Sequence, residues 1–253
     1  MDVNERRIVF MDMEGTLLHK EYRLDDGLVA PSAWTVIAEK LGAECLVEEN
    51  RTKTKWRAKE YSSYMAWMSA TVEIHKRFGL TEDVFRDVVD SAQFMTNVDE
   101  ALNRIHSHGW ITVLVTGGFK ALADRVQRRL RLHHALAGCE YFFSAETRLI
   151  EHVNLLPADE TGKVDFMKLM CREYDIDPIR CAFVGDGMND VHLAGAVGFS
   201  IAFNAQAELC DVATTCVRQA AGSEDFMAVA DILEDAFWGQ GAELMTDPRG
   251  HTA

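Results

Sequence analysis

Three short apolar runs in this chain each lead directly into polar residues that can do chemistry. These are Asp12 and Glu14 after 8–11, Thr116, Gly117 and Gly118 after 110–115, and Asp186 and Asp190 after 181–184. Each run is typical of a buried strand, and ligands of open α/β sheets bind beyond the carboxyl ends of the strands. We therefore expect these side chains to meet at one edge, where Lys163, at the start of a predicted helix, adds a cation.

This combination contains the parts that phosphoryl transfer needs. A carboxylate can attack phosphorus to give an aspartyl-phosphate, and a second acid can protonate the leaving oxygen and then activate water. A hydroxyl and the amides of a Gly-Gly turn at a helix start can hold phosphate oxygens. Acids crowded around a phosphate dianion require a metal, and oxygen ligands favour Mg²⁺. Each residue alone is typical of a cap or turn, so the prediction rests on their joint placement.

The elements that must position these residues alternate between strand and helix. Strands are predicted at 8–11, 110–115, 141–143, 181–184 and 199–203, and helices at 120–132, 164–174 and 188–194. This alternation predicts an α/β fold with a doubly wound, largely parallel sheet.

The segment 18–97 has a different character. It contains helical patterns at 32–41, 53–78 and 82–91 and no convincing strand. It is also much longer than a crossover between neighbouring strands requires. We predict an inserted all-helical cap over 18–97, a catalytic core made of 1–17 and 98–253, and a loose tail over 239–253.

Composition excludes several classes of function. The net charge of −14 over 253 residues opposes binding to nucleic acid or anionic membranes. No stretch has the length of a membrane span or the pattern of a signal peptide. Six scattered cysteines without a C-x-x-C pair are typical of reduced, buried thiols. We expect a cytoplasmic protein that binds a small molecule, with neither a nucleic-acid nor a membrane partner; the oligomeric state is not indicated.

The motifs resemble those of the haloacid dehalogenase superfamily of phosphatases. DMEGT at 12–16 resembles the D-x-D-x-T motif, VTGGF at 115–119 is similar to the second motif, and GDGMND at 185–190 is similar to G-D-x-x-N-D. The lysine motif is matched at Lys163. A helical insertion between the first two motifs resembles the phosphoserine phosphatase-like branch, and the resemblance extends from about residue 8 to residue 237, although the cap matches poorly.

The resemblance implies a role for each matched residue. Asp12 would be the nucleophile and a metal ligand, Asp186 the second carboxylate ligand, and Glu14 a ligand through its carbonyl as well as the acid and base. Asp190 would hold the metal's waters or the lysine. Thr116, Gly117, Gly118 and Lys163 would bind the transferring phosphate.

Two departures from the family pattern bear on activity and substrate. Glu14 stands where the family has an aspartate, one methylene shorter. Glu21 lies where phosphoserine phosphatases place a glutamate that contacts the substrate amine, but the arginine that binds the substrate carboxylate has no clear counterpart. The best alignment puts Ser69 there, so phosphoserine is not favoured as the substrate.

The cap offers further candidate contacts for a substrate. Trp56, Tyr61, Tyr64 and Trp67 are aromatic residues whose ordinary role is packing, yet one or two of them, Trp67 in particular, are candidates to line a pocket beside Glu21. Arg57 lies in a basic run that is typical of a solvated face, and it is a second candidate contact.

The function that these patterns favour is Mg²⁺-dependent hydrolysis of a small phosphomonoester through an aspartyl-phosphate on Asp12, with an amine-bearing substrate as a hypothesis. Two alternatives remain open. The first is transfer of the phosphoryl group to an alcohol. The second is a catalytically weak phosphoryl-binding or regulatory protein.

Overall fold

A computed structural model describes residues 6–20, 22–23, 29–30 and 32–238. Within them nine strands are formed: β1 (Ile8–Met11), β2 (Tyr22–Arg23), β3 (Val29–Ala30), β4 (Ile111–Phe119), β5 (His134–Phe143), β6 (Ile150–Leu155), β7 (Cys181–Gly185), β8 (Phe199–Phe203) and β9 (Thr215–Val217). Seven of these make one sheet in the order β6-β5-β4-β1-β7-β8-β9. All neighbours in this sheet are parallel except β5 and β6.

Helices cover both faces of the sheet and fill the segment between β1 and β4. They are α1 (Ala33–Lys40), α2 (Ala43–Arg57), α3 (Tyr64–Arg77), α4 (Glu82–Ser91), α5 (Val98–Ser107), α6 (Lys120–Leu130), α7 (Thr161–Tyr174), α8 (Val191–Ala194), α9 (Ala207–Cys210) and α10 (Met227–Trp238). Short 3-10 helices span Pro178–Arg180 and Met188–Asp190.

The central strand β1 shows why helices pack on both faces of the sheet. Its residues are all buried, and successive side chains point to opposite faces. Val9 and Met11 belong to the core under α5, α6 and α10, whereas Ile8 and Phe10 belong to the core under α7, α8 and α9. The predicted doubly wound α/β fold is therefore confirmed.

The same strand sets the position of the polar residues. β1 pairs in parallel with β4 on one side and with β7 on the other, and Met11 lies opposite both Leu114 and Val184. The residues that follow these three positions therefore emerge at the same edge of the sheet.

The inserted segment differs in detail from the prediction. The single helix expected over 53–78 is two helices, α2 and α3, because Ser63 caps a new helix by accepting a hydrogen bond from the Ala66 amide at 3.1 Å. β2 and β3 form a short antiparallel hairpin, so the segment is not helical throughout. The division of the chain into a core and a cap domain stays a prediction.

Two other local expectations are wrong. β4 does not end at Val115, as predicted, but continues to Phe119 with an irregular register, so the Gly-Gly pair lies in a strand and not in a turn at a helix start. Cys210 and Cys216 are not free thiols but form a disulfide, since the turn after α9 brings their Cα atoms to 5.2 Å. The other four cysteines are free and buried, as expected.

Among the described residues, no helix is both long enough and apolar enough to cross a membrane.

A buried histidine couples the stability of the fold to pH. His75 of α3 is fully buried, its Nδ1 lies 2.9 Å from the Tyr141 hydroxyl, and its Nε2 has no hydrogen-bond partner in the described part of the chain. Burial lowers the pKa of His75 to about 3. The folded protein therefore holds this ring neutral at a pH where the unfolded chain would protonate it.

We predict that the free energy of unfolding falls as the pH is lowered from about 6.5 towards 3. In that range the unfolded chain binds a proton at His75 and the folded protein does not. One such proton lowers the free energy of unfolding by about 1.4 kcal/mol for each pH unit of acidification. His75→Gln removes the titrating group and should make the fall in the free energy of unfolding between pH 7 and pH 5 smaller by about 2 kcal/mol, measured by urea unfolding at the two pH values. His152→Gln, on an exposed site of β6, is the control. An unchanged slope in His75→Gln would contradict the prediction.

Candidate active site

The turn after β1 brings the first two acids to the edge of the sheet. The Asp12 amide donates to the Val184 carbonyl at 2.9 Å, which extends the pairing of β1 with β7. Gly15 has φ +89°, and a side chain on it would collide with the Asp186 carboxylate. A glycine is therefore needed where the turn after β1 passes the Asp186 carboxylate.

Lys163 is the cation at the centre of the site. It lies in the first turn of α7 and is fully buried. Its Nζ lies 2.5 Å from Asp12 Oδ1, 2.6 Å from Asp190 Oδ1 and 3.8 Å from Asp159 Oδ1. Burial by itself would lower the pKa of Lys163, but Asp12 and Asp190 raise it above its ordinary value, so the ammonium group stays charged.

Asp190 organises its neighbours with both oxygens. Oδ1 accepts from Lys163, and Oδ2 accepts from the amides of Asp186 at 3.1 Å and Gly187 at 3.0 Å. The carboxylate therefore holds the lysine and the turn that carries Asp186.

The donor set fits a hard divalent cation. One carboxylate oxygen from each of Asp12, Asp186 and Asp190 lies within 4.8 Å of the others. Burial, together with the neighbouring acids, raises the pKa of Asp12 and of Asp186. Oxygen ligands carrying excess negative charge are what Mg²⁺ prefers.

The environment of the Glu14 carboxyl group suits it to exchange protons near neutral pH. It is buried, and its Oε1 accepts a hydrogen bond from the Ala33 amide at 2.7 Å, at the start of α1. Burial raises the pKa of Glu14 to about 7, against the opposing effects of the Ala33 amide and Lys20. A carboxyl group with this pKa can both give and accept a proton near neutral pH.

The predicted phosphate-binding residues line the opposite wall. The buried Thr116 hydroxyl accepts from the Gly118 amide at 3.1 Å. A Cβ atom on Gly117 would lie 2.5 Å from the Tyr64 hydroxyl and 2.7 Å from Asp159 Oδ2. Gly117 therefore has to be glycine for the α3 tyrosine and the loop before α7 to approach the strand.

One cavity of about 190 Å³ joins these groups. It is lined by Asp12, Glu14, Lys20, Ser32, Trp34, Tyr64, Trp67, Thr116, Gly117, Gly118, Asp159, Asp186 and Asn189. Of the predicted cap contacts, Trp67 lines the cavity. Arg57 is exposed and does not line it, and Glu21 lies outside the described residues.

Sequence reasoning missed several residues of this cavity. Lys20 forms an ion pair with Asp186, and Asp159 accepts a hydrogen bond from Asn189 at 2.8 Å. The spacing of Asp159 and Lys163, four residues apart across a helix start, could have indicated their proximity. For Lys20, and for Trp34 at the start of α1, no sequence signal was available because their positions depend on how the inserted segment packs.

Comparisons with known proteins agree with this geometry. A family model described as haloacid dehalogenase-like hydrolase matches residues 7–198. The chain is 25% identical over 150 residues to a phosphoserine phosphatase of Vibrio cholerae, a match that covers 59% of this chain and 45% of that protein. It is 25% identical over 236 residues to a phosphoserine phosphatase of Archaeoglobus fulgidus, which covers 91% of this chain and 60% of the relative.

A solved structure shows the same fold. The crystal structure of a probable phosphoserine phosphatase from Vibrio cholerae superposes with a TM-score of 0.74 at 20% identity, and covers 94% of this chain and 67% of that one. The chain spans less than two thirds of the length of the two relatives, so their names alone do not define its substrate. The match of the family model over most of the sequence does define its family: the chain belongs to the haloacid dehalogenase-like hydrolases.

Proposed function

We propose that this protein is a phosphatase that hydrolyses a small phosphomonoester in two steps, with Asp12 as the nucleophile and Mg²⁺ as the metal. The observation that carries the proposal is that Asp12, which contacts the buried Lys163, lines one cavity together with Glu14. A nucleophile and an acid with a raised pKa in one cavity, with a buried cation in contact with the nucleophile, are the parts of a phosphoryl-transfer site.

In the first step an Asp12 oxygen forms a bond to phosphorus while the bond from phosphorus to the substrate oxygen breaks. Protonated Glu14 gives its proton to the leaving oxygen, which departs as an alcohol. In the second step Glu14, now a carboxylate, takes a proton from a water molecule as that water attacks the phosphorus and the bond from phosphorus to the Asp12 oxygen breaks. Free phosphate leaves, and both acids return to their starting states.

The surrounding groups stabilise the charge of the phosphoryl group. Lys163 supplies one positive charge, and the Thr116 hydroxyl with the Gly117 amide would supply hydrogen-bond donors. The Gly118 amide instead holds the Thr116 hydroxyl in place. Asp12, Asp186, Asp190 and the carbonyl of Glu14 would hold Mg²⁺, which neutralises charge on the phosphate oxygens when bound.

The size of the cavity supports a small leaving group. The names of the relatives make phosphoserine a candidate substrate. Ser69, at the aligned position of the missing arginine, is exposed and donates to the Met65 carbonyl at 2.8 Å, so it does not replace that arginine. Contacts of a substrate with Glu21 and Arg57 stay predictions.

We predict Mg²⁺-dependent release of phosphate from a panel of small phosphomonoesters, abolished by a chelator and by Asp12→Asn. The variant keeps the shape of the side chain but removes the nucleophilic charge. Asp165→Asn, on the exposed side of α7, removes the same charge elsewhere and should retain full activity. Release by Asp12→Asn at the wild-type rate would refute the proposal, and phosphoesters formed from added alcohols would instead indicate phosphotransfer.

We predict that Glu14→Gln lowers kcat by about 10²–10⁴-fold, the usual contribution of general acid–base catalysis. The glutamine can still accept the hydrogen bond from the Ala33 amide, so the packing of α1 should survive. Steady-state kinetics and circular dichroism separate the two effects. A folded variant with unchanged kcat would exclude Glu14 as the acid and base.

We predict that Asp186→Asn weakens Mg²⁺ binding by at least about tenfold, because removal of groups that merely support metal ligands already costs that much. Calorimetric titration of Mg²⁺ into wild-type, Asp186→Asn and Asp165→Asn proteins measures the affinity directly. Equal affinities in all three would show that Asp186 is not a ligand.

A further inference from the structure

A second, smaller recess adjoins the catalytic cavity within the inserted helices. Its volume is about 60 Å³, and its wall includes Glu49 and Lys53 of α2. It shares Ser32, Trp34, Tyr64 and Trp67 with the catalytic cavity. A group attached to a phosphate bound beside Asp12 can therefore extend into this recess.

Glu49 is an unusual residue to find there. It is 1% exposed, and its Oε1 accepts from Lys53 Nζ at 2.9 Å and from the Thr35 hydroxyl at 3.4 Å. Its Oε2 has no hydrogen-bond partner in the described part of the chain. Buried carboxylate oxygens are ordinarily paired, so one without a partner in a cavity wall points to a ligand that donates to it.

Lys53 explains how the buried Glu49 carboxylate is stabilised when no such ligand is bound. Burial raises the pKa of Glu49, and Lys53 opposes this shift. Lys53 also donates to the Thr35 hydroxyl at 2.5 Å, which holds its ammonium group on the Oε1 side of Glu49. The Oε2 side is left for a donor that comes from outside the protein.

The remaining wall is aromatic and held in place by the protein. Trp67 stacks on Trp56 with ring centres 5.1 Å apart, and its indole nitrogen donates to the Thr52 hydroxyl at 3.0 Å. Tyr64 packs edge-on against Trp67 at 5.7 Å. The faces of aromatic rings beside a carboxylate attract a cation.

Resting on the proposed function, we propose that this recess is the leaving-group subsite, and that it selects phosphate esters of short alcohols that end in a primary ammonium group. The ammonium donates to Glu49 Oε2 between the faces of Trp34, Tyr64 and Trp67. The small volume admits only a few non-hydrogen atoms. A quaternary ammonium has no N–H to give, and a carboxylate would face Oε2 with like charge.

The test compares three esters of equal size, 2-aminoethyl, 2-hydroxyethyl and propyl phosphate, with phosphoglycolate and the bulkier phosphocholine. We expect kcat/KM for 2-aminoethyl phosphate to exceed that for propyl phosphate by at least about tenfold, the scale of one hydrogen bond to a charged group. In Glu49→Gln this ratio should fall towards one while propyl phosphate hydrolysis is retained. Because both esters are measured on one preparation, partial unfolding does not change the ratio.

Glu48→Gln is the matched control, since it removes the same charge one residue earlier in α2, where Glu48 pairs with Arg77 on the surface. It should leave the ratio unchanged. A wild-type protein that hydrolyses all five esters without favouring the amine would overturn the inference and leave the proposed function intact. A preference for phosphoglycolate, or an equal ratio in Glu49→Gln and wild type, would also overturn it.

Binding without turnover separates the two proposals. Calorimetry in Mg²⁺ measures the affinities of 3-aminopropylphosphonate and butylphosphonate, which cannot be hydrolysed as esters. Because the two compounds differ only in the terminal group, the difference between their affinities reports on the recess. Tighter binding of the amine that is lost in Glu49→Gln supports the subsite even if no ester is hydrolysed, in which case only the proposed function fails. Equal binding of both phosphonates by the wild-type protein refutes the subsite.

Discussion

The site depends on one buried cation. Lys163 is fully enclosed and contacts Asp12 and Asp190 directly, with Asp159 slightly further away. Each of these charges would be costly to bury alone, and removal of one partner leaves the others uncompensated. The cluster therefore holds three separate chain segments together: the end of β1, the start of α7 and the turn after β7. The same arrangement leaves more negative than positive charge, which is the condition under which a divalent cation binds.

A second link joins the inserted helices to this cluster. The first amide of α1 donates to Glu14, so the acid that would protonate a leaving group is held by the segment that also encloses it. Trp34 in the same helix, and Tyr64 and Trp67 in α3, complete the cavity wall. The helices would thus shape the space for the leaving group, while the sheet edge provides the groups that would act on phosphorus. This division lets the specificity of the site change without change in its chemistry.

The sheet edge could be predicted because each acid follows an apolar run, and parallel strands deliver their ends to one edge. β1 and β8 were predicted with the observed bounds, as was α4, whose first turn carries Glu82 and Asp83 after the capping residue Thr81. The extension of β4 through Gly117 was not predicted, because glycine pairs are usually read as turns. The break between α2 and α3 was missed because helical periodicity continues across Ser63.

The sequence by itself determined the fold class and the acids and lysine that meet at the sheet edge, since these follow from local pattern and spacing. Only the tertiary structure decided which residues of the inserted segment face that site. Lys20 and Trp34 reach the cavity that Asp12 lines, and Glu49 reaches the adjoining recess, through the packing of the inserted segment, and no local pattern encodes such contacts. The environment of each of these residues is set by its burial, and its burial depends on tertiary contacts that a local sequence pattern does not specify.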